Sequence, residues 1–249
     1  MIKSFLEFIN ESMENNVEFL KKLTIDIIAK LRESSKEESS SYATFSGMEF
    51  TEPFMFDLIL KVRRETDPDL RRDPHFNDLS WEKLNYDNLG YSIDANTRMS
   101  KSKAAVPKIT MHLILNPKKE PILYEKLYAR LLDILVHETN HLDQLGINRD
   151  PFNVKVSDPR ERAKAKKSHK YFLLSDEVES MIEGMYVRSK EQRIPLDKVF
   201  LEYLTPFLET RYISSSEFQK VMFTWITRSL ELYPDAEFSP SAKKIIDSI

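Results

Sequence analysis

Residues 108–146 read KITMHLILNPKKEPILYEKLYARLLDILVHETNHLDQLG. The first eight alternate. Ile109, Met111, Leu113 and Leu115 point one way and Thr110, His112 and Ile114 the other, the two-residue period of a strand. Asn116-Pro117 ends it. Pro121 then opens a long helix, where a proline costs no backbone donor. The helix runs to about Leu145, and Gly146 follows, where a left-handed terminating residue belongs. A strong strand feeding directly into a long helix anchors the reading of everything around it.

Upstream, Phe5, Leu6, Phe8, Ile9, Met13, Val17, Leu20, Leu23, Ile27 and Leu31 recur mostly at three- and four-residue spacing, which predicts a helix over 1–33. The polar run from Glu33 to Ser41 has nothing to bury and reads as a linker, placed at 34–47. Phe54, Phe56, Leu58, Leu60 and Val62 alternate as a strand would; 65–85 reads as a loop, and Gly90 to Arg98 as a weaker strand. Downstream, Arg160 to Lys170 is a charged stretch, read as a solvated face. A second helix is expected over Ser175 to Gln192, stopped by Pro195, and 196–249 is helical in pattern with breaks at Pro206, near Ser214 to Ser216, at Pro234 and at Pro240. Helix, linker, strands, then helices is an α+β order, with 48–249 as one domain.

Composition narrows the chemistry. Among 249 residues there is no cysteine, which excludes disulfide scaffolds, thiol nucleophiles and cysteine-held metals. Four glycines and neither G-x-G-x-x-G nor G-x-x-x-x-G-K leave no glycine-rich phosphate loop. A formal net charge of −3 argues against a general nucleic-acid or membrane-surface binder. The longest apolar runs are about four residues, far short of the roughly 20 that a membrane span needs. The N-terminal helix lacks the charge pattern and small-residue cleavage site of a secretory signal. Carboxylate and imidazole chemistry remains, with five histidines to supply it.

Two of the five fall in His137-Glu138-Thr139-Asn140-His141 on the long helix. Histidines at i and i+4 lie one turn apart on one face and can reach one ion, and Glu138 beside them can take a proton from a water held there. Leu127, Ile134 and Leu145 share the face of the two histidines, and Leu131 lies beside Glu138, so the imidazoles are expected to point inward. Zinc needs a third protein ligand and an open position for water. The segment after His141 lacks the metzincin extension. On the second helix Glu177, Ser180, Met181 and Gly184 share a face whose small residues allow close helix approach. Glu177 is therefore the best-placed carboxylate, with Glu179 as the alternative. His169, Tyr171, Tyr186 and Arg188 are candidates for stabilising an oxyanion; His112 and His75 read as structural.

The motif helix and the Glu helix together resemble the gluzincin branch of zinc peptidases. The resemblance implies a zincin-like α+β fold, with a small antiparallel or mixed sheet, an active-site helix and a helical C-terminal part. It implies Zn2+ held by His137, His141 and Glu177, with Glu138 as general base. Glu177, two residues, then Ser180 is similar to the E-x-x-A form, with Ser for Ala. The substrate would be a peptide or protein, bound along an edge strand for which Lys108 to Leu115 is the expected candidate, with no membrane and no specific nucleic acid as partner. Separately, the first eleven residues, with Glu7-Phe8-Ile9-Asn10-Glu11, resemble the capsid-targeting peptides of internal head proteins in T-even-type bacteriophages. That resemblance implies cleavage before Ser12, phage capsid proteins as partners, and residence in the virion interior or the host cytoplasm. Leu31-Arg32-Glu33 also fits the cleavage pattern. A non-enzymatic internal phage protein with a zincin-like binding domain is the alternative function.

Overall fold

The computed structural model describes residues 5–34, 42–50, 56–66, 68–69, 80–98, 106–144, 158–166 and 168–246. Eight α-helices and four strands occur among them. They run α1 (Phe5–Ser34), β1 (Tyr42–Phe45), β2 (Asp57–Arg64), α2 (Ser80–Leu89), β3 (Tyr91–Arg98), β4 (Lys108–Leu115), α3 (Glu120–Gln144), α4 (Pro159–Ala165), α5 (Ser175–Gln192), α6 (Leu196–Glu209), α7 (Ser215–Leu232) and α8 (Pro240–Ile246). The fold is α+β: a four-stranded mixed sheet, then α3, then a helical C-terminal part. Residues 35–41 of the expected linker, His75, Leu145 and Gly146 lie outside the described residues. No described helix is long and apolar enough to cross a membrane.

The sheet order is β1-β2-β4-β3, with β2 and β4 parallel and the other two pairs antiparallel. Register puts Leu58, Leu60 and Val62 of β2 beside Ile109, Met111 and Leu113 of β4, and these beside Thr97, Ala95 and Ile93 of β3. This continuous apolar face is covered by α3 and by the second half of α1, whose Leu20, Leu23, Ile27 and Leu31 are buried in the same core. A second core lies between α5, α6, α7 and α8, around Phe200 and Trp225. α5 joins the two, since Val187 belongs to the first core and Ile182 and Met185 to the second.

Four features depart from the sequence reading. β4 is not the edge strand: it is paired on both sides, and β3 is the edge on the α3 side. Both faces of β4 are buried, so its alternation did not mark it as an edge. The sheet begins inside the expected linker, where Tyr42–Phe45 pairs with Leu60–Arg63. Residues 80–85, expected as loop, belong to the helix Ser80–Leu89; Tyr86, packed on Ile114, is the one buried hydrophobic side chain among those described in it. Pro206 lies inside α6 without breaking it. The Glu202 carbonyl, four residues back, is the acceptor left without that bond, and Glu202 is exposed, so water can satisfy it.

The two ends of the first core are tied by one polar cluster. Arg64 Nε donates to Glu120 Oε1 at 2.7 Å, its Nη2 donates to the Leu31 carbonyl at 2.9 Å, and Tyr124 Oη donates to Glu120 at 2.9 Å. Burial, then the Glu120 charge, pushes the Tyr124 hydroxyl up to about 12. The Arg64 and Glu120 side chains are 12 % and 9 % exposed. Removing one partner of a buried pair costs about 3–5 kcal/mol. Glu120→Ala is therefore expected to destabilise the protein by about 3 kcal/mol in urea unfolding, and a loss below about 1 kcal/mol would show the cluster to be effectively solvated.

Candidate metal centre

α3 crosses the sheet so that His137 and His141 face α5, with His137 Nε2 3.1 Å from His141 Nε2. Glu177, in the first turn of α5, is fully buried beside them. Its Oε2 lies 3.7 Å from His137 Nε2 and its Oε1 3.6 Å from His141 Nε2. Tetrahedral ligands about 2.0–2.1 Å from zinc stand about 3.3–3.4 Å apart; the histidine pair and the contact of each histidine with its own Glu177 oxygen bracket that value. His137, His141 and Glu177 form the one such group among the described residues.

The close approach of the two helices comes from Gly184. A Cβ there would lie 2.4 Å from the Asp133 carbonyl oxygen, a backbone atom one turn before His137. Substitution must push α5 off α3 and carry Glu177 away from the histidines. Gly184→Ala is expected to cost about 1–3 kcal/mol, the range for overpacking, and to weaken metal binding in the same variant. Unchanged unfolding and unchanged zinc affinity would show that the helices do not meet there.

Further groups orient the histidines. Gln144 Nε2 donates to the Asp176 carbonyl at 2.9 Å, which turns its amide oxygen to His141 Nδ1 at 2.8 Å. His141 Nδ1 therefore carries a hydrogen. Ser180 Oγ donates to the same Asp176 carbonyl and sits 3.3 Å from that Nδ1. His141 thus presents Nε2 to the centre, the arrangement expected of a metal-binding imidazole. Burial, reinforced by the neighbouring His141, lowers the His137 pKa to about 3. Burial pulls His141 down too, but its bond to Glu177 and the charges of Glu177 and Glu138 outweigh it and raise its pKa. Burial opposes ionisation of Glu177, yet the two histidines and Arg162 hold it down to about 2. A proton and a metal ion thus compete for His141 Nε2. A metal must displace the proton, so affinity falls as pH is lowered. With the pKa of His141 raised, zinc competition titrations should show this loss starting at a higher pH than for an ordinary imidazole; pH-independent affinity would refute it.

Glu138 is buried beside the group, its Oε1 4.0 Å from His137 Nε2. Thr97 Oγ1, near the end of edge strand β3, donates to Glu138 Oε2 at 2.6 Å. Burial raises the Glu138 pKa, with the Thr97 bond opposing it. One carboxylate oxygen is held by the sheet while the other is not.

The remaining candidates separate cleanly. Glu179 turns away to Arg228. Tyr186 bonds Asp235 at 2.8 Å and stacks on Tyr233, and Arg188 pairs with Glu202, so neither joins the site. His169 Nδ1 is 2.7 Å from Glu217 Oε1. Tyr171 does reach the site: burial, then the Glu177 charge beside it, raises its hydroxyl pKa well above the usual value. His112 stands on the sheet face opposite α3, across from Asp94. Sequence reasoning missed Thr97, Gln144 and Arg162. Arg162 belongs to the stretch read as a solvated face; instead its guanidinium bonds both Glu177 and Asp176. The only hint was two adjacent acids at a helix start, which need a cation only once both are buried.

The donor set suits a divalent cation on charge as well as distance. Asp176, Glu177 and Glu138 against Arg162 leave formally two negative charges around two imidazoles. Glu177 Oε2 is also buried with no hydrogen-bond partner, and an orphaned buried carboxylate oxygen is costly unless a cation satisfies it. No protein-family model matches this chain, and no match is found among curated proteins or among solved structures.

Proposed function

We propose that this protein is a zinc-dependent peptidase in which His137, His141 and Glu177 hold the metal and Glu138 is the general base. The observation that carries the reading is the convergence of the three donors with Glu138 held beside them by Thr97. Zinc bound there would supply Lewis-acid polarisation of a carbonyl and of a water. Glu138 Oε1 would take a proton from the water that adds to the peptide carbonyl carbon. It then returns the proton to the leaving nitrogen as the C–N bond breaks, giving an acid and an amine. Thr97 keeps Oε2 occupied and fixes which oxygen works. Burial raises the Glu138 pKa, the direction that strengthens a base. Tyr171, whose hydroxyl interacts with Glu177, is the candidate donor to an oxyanion. An extended substrate would pair with the outer edge of β3, whose Thr97 end meets Glu138.

The test combines metal content and activity. Zinc-loaded wild-type protein is expected to bind one equivalent and to cleave an unfolded polypeptide such as casein. His141→Ala is expected to lose both. Metal-free wild-type protein after zinc loading would sink the reading, as would hydrolysis that survives in His141→Ala.

The N-terminal sequence supports placing this activity in a phage particle. The described core residues of α1 begin beyond Glu11, with Leu20, Leu23, Ile27 and Leu31. Cleavage before Ser12 would leave them all in place, whereas cleavage after Glu33 would remove them. Packaging predicts a virion-borne chain beginning at Ser12 by mass spectrometry; virions without any peptide of the protein would refute it. A virion-borne chain lacking zinc-dependent hydrolysis would favour the binding-module alternative.

A further inference from the structure

We infer that Arg162 is a positioning residue that restricts Glu177 to one ligating oxygen, an inference that rests on the metal-site reading above. Without a restraint the two Glu177 oxygens are nearly equivalent, standing 3.6 and 3.7 Å from their respective histidine nitrogens. A carboxylate so placed can ligate through both oxygens, and a second oxygen would add a fifth ligand and crowd the position that water and substrate need.

The arginine removes that equivalence. Arg162 Nη1 donates to Glu177 Oε1, while Glu177 Oε2 has no hydrogen-bond partner. The other arm of the same guanidinium, Nη2, donates to Asp176 Oδ2 at 2.5 Å. Asp176 and Glu177 are adjacent and fully buried, so the planar fork spans two fixed carboxylates. Oε1 is held by Arg162 and Oε2 is left for the metal. The fork itself is anchored: α4 is capped by the Asp158 side chain on the Arg160 and Glu161 amides, and Tyr212 Oη donates to the Lys166 carbonyl just beyond it at 2.5 Å. Arg162 is also more than a neutraliser of Glu177. Asp176 cancels its charge, so the site keeps its net attraction for a divalent ion.

The experiment uses full-length protein loaded with cobalt(II) as a spectroscopic substitute for zinc. Zinc affinity is measured in parallel by chelator competition, on wild type, Arg162→Met and Arg162→Lys. Wild type is expected to show the intense visible bands of a four-coordinate ion. Arg162→Met is expected to bind zinc about 10–100-fold more weakly, the usual loss for an outer-sphere partner, and to show the weaker bands of a five-coordinate ion. Lysine keeps the charge but cannot span both carboxylates. Arg162→Lys should therefore lose less affinity yet show the same five-coordinate spectrum, and it serves as the folded comparison if Arg162→Met is unstable. Wild-type spectra in the folded variants overturn the inference even if affinity falls. Failure of the wild type to bind either metal overturns the metal site itself, which separates the two failures.

Discussion

On the peptidase reading proposed above, Glu138→Gln is expected to lower kcat/KM for peptide hydrolysis by about 10²–10⁴-fold, the range for loss of a general base, and to leave zinc bound. Glutamine keeps the shape of the side chain and can still accept from Thr97 Oγ1, the bond that now runs to Glu138 Oε2 at 2.6 Å. What it lacks is a basic oxygen on the side of His137. Each tenfold is about 1.4 kcal/mol of barrier, so the change asks about 3–5 kcal/mol of one proton transfer, a reasonable share for a buried base. Metal affinity should stay within a few-fold, since Glu138 is not in the His137–His141–Glu177 group. The measurement is a pair: zinc stoichiometry and initial hydrolysis rate on the same preparation. Full activity in Glu138→Gln would remove the residue from the chemistry; loss of zinc with the activity would make it a ligand instead.

Trp225→Ala has the largest expected effect on stability. Trp225 is fully buried and is ringed by Phe200 at 5.3 Å, Tyr203 at 6.0 Å and Phe172 at 6.2 Å between centroids. Its indole nitrogen donates to the Phe172 carbonyl at 2.8 Å. Truncating a buried tryptophan costs about 3–5 kcal/mol, which lowers Tm by roughly 10 °C in a chain of this size. Trp225→Phe separates the two contributions: it keeps most of the apolar volume and leaves the Phe172 carbonyl unpaired, for about 1–3 kcal/mol. Phe172 lies in the 3-10 turn His169–Leu173, which also carries Tyr171 and leads into α5. The alanine variant is therefore expected to weaken zinc binding as well. A Tm within about 2 °C of wild type would mean that this core closes around the gap.

The sequence carried the elements on which the site is built. β4 and α5 fall where periodicity placed them, and α3 begins one residue before the expected Pro121. A long amphipathic segment advertises its period whatever it packs against. His137 and His141 were legible because four-residue spacing on a helix fixes a shared face before any tertiary contact forms. Glu177 could be preferred over Glu179 from the small residues Ser180 and Gly184 on its face, though not placed.

The edge strand, the α2 helix and the arginine were not legible, for a common reason. β3 is an edge because β2, not another element, occupies the far side of β4, and strand order leaves no local trace in sequence. Arg162 sits among Arg160, Glu161 and Lys164, all exposed, and nothing in the residues themselves distinguishes it. The sequence alone determined a cysteine-free α+β chain with two histidines and a carboxylate on one helix, because composition and helical period act locally. Only the tertiary structure decided which acid meets them, which threonine holds Glu138 and which arginine enters the site. Those are set by the close approach of α3 and α5 at Gly184 and by the burial of Asp176 and Glu177, both of which arise between segments far apart in the chain.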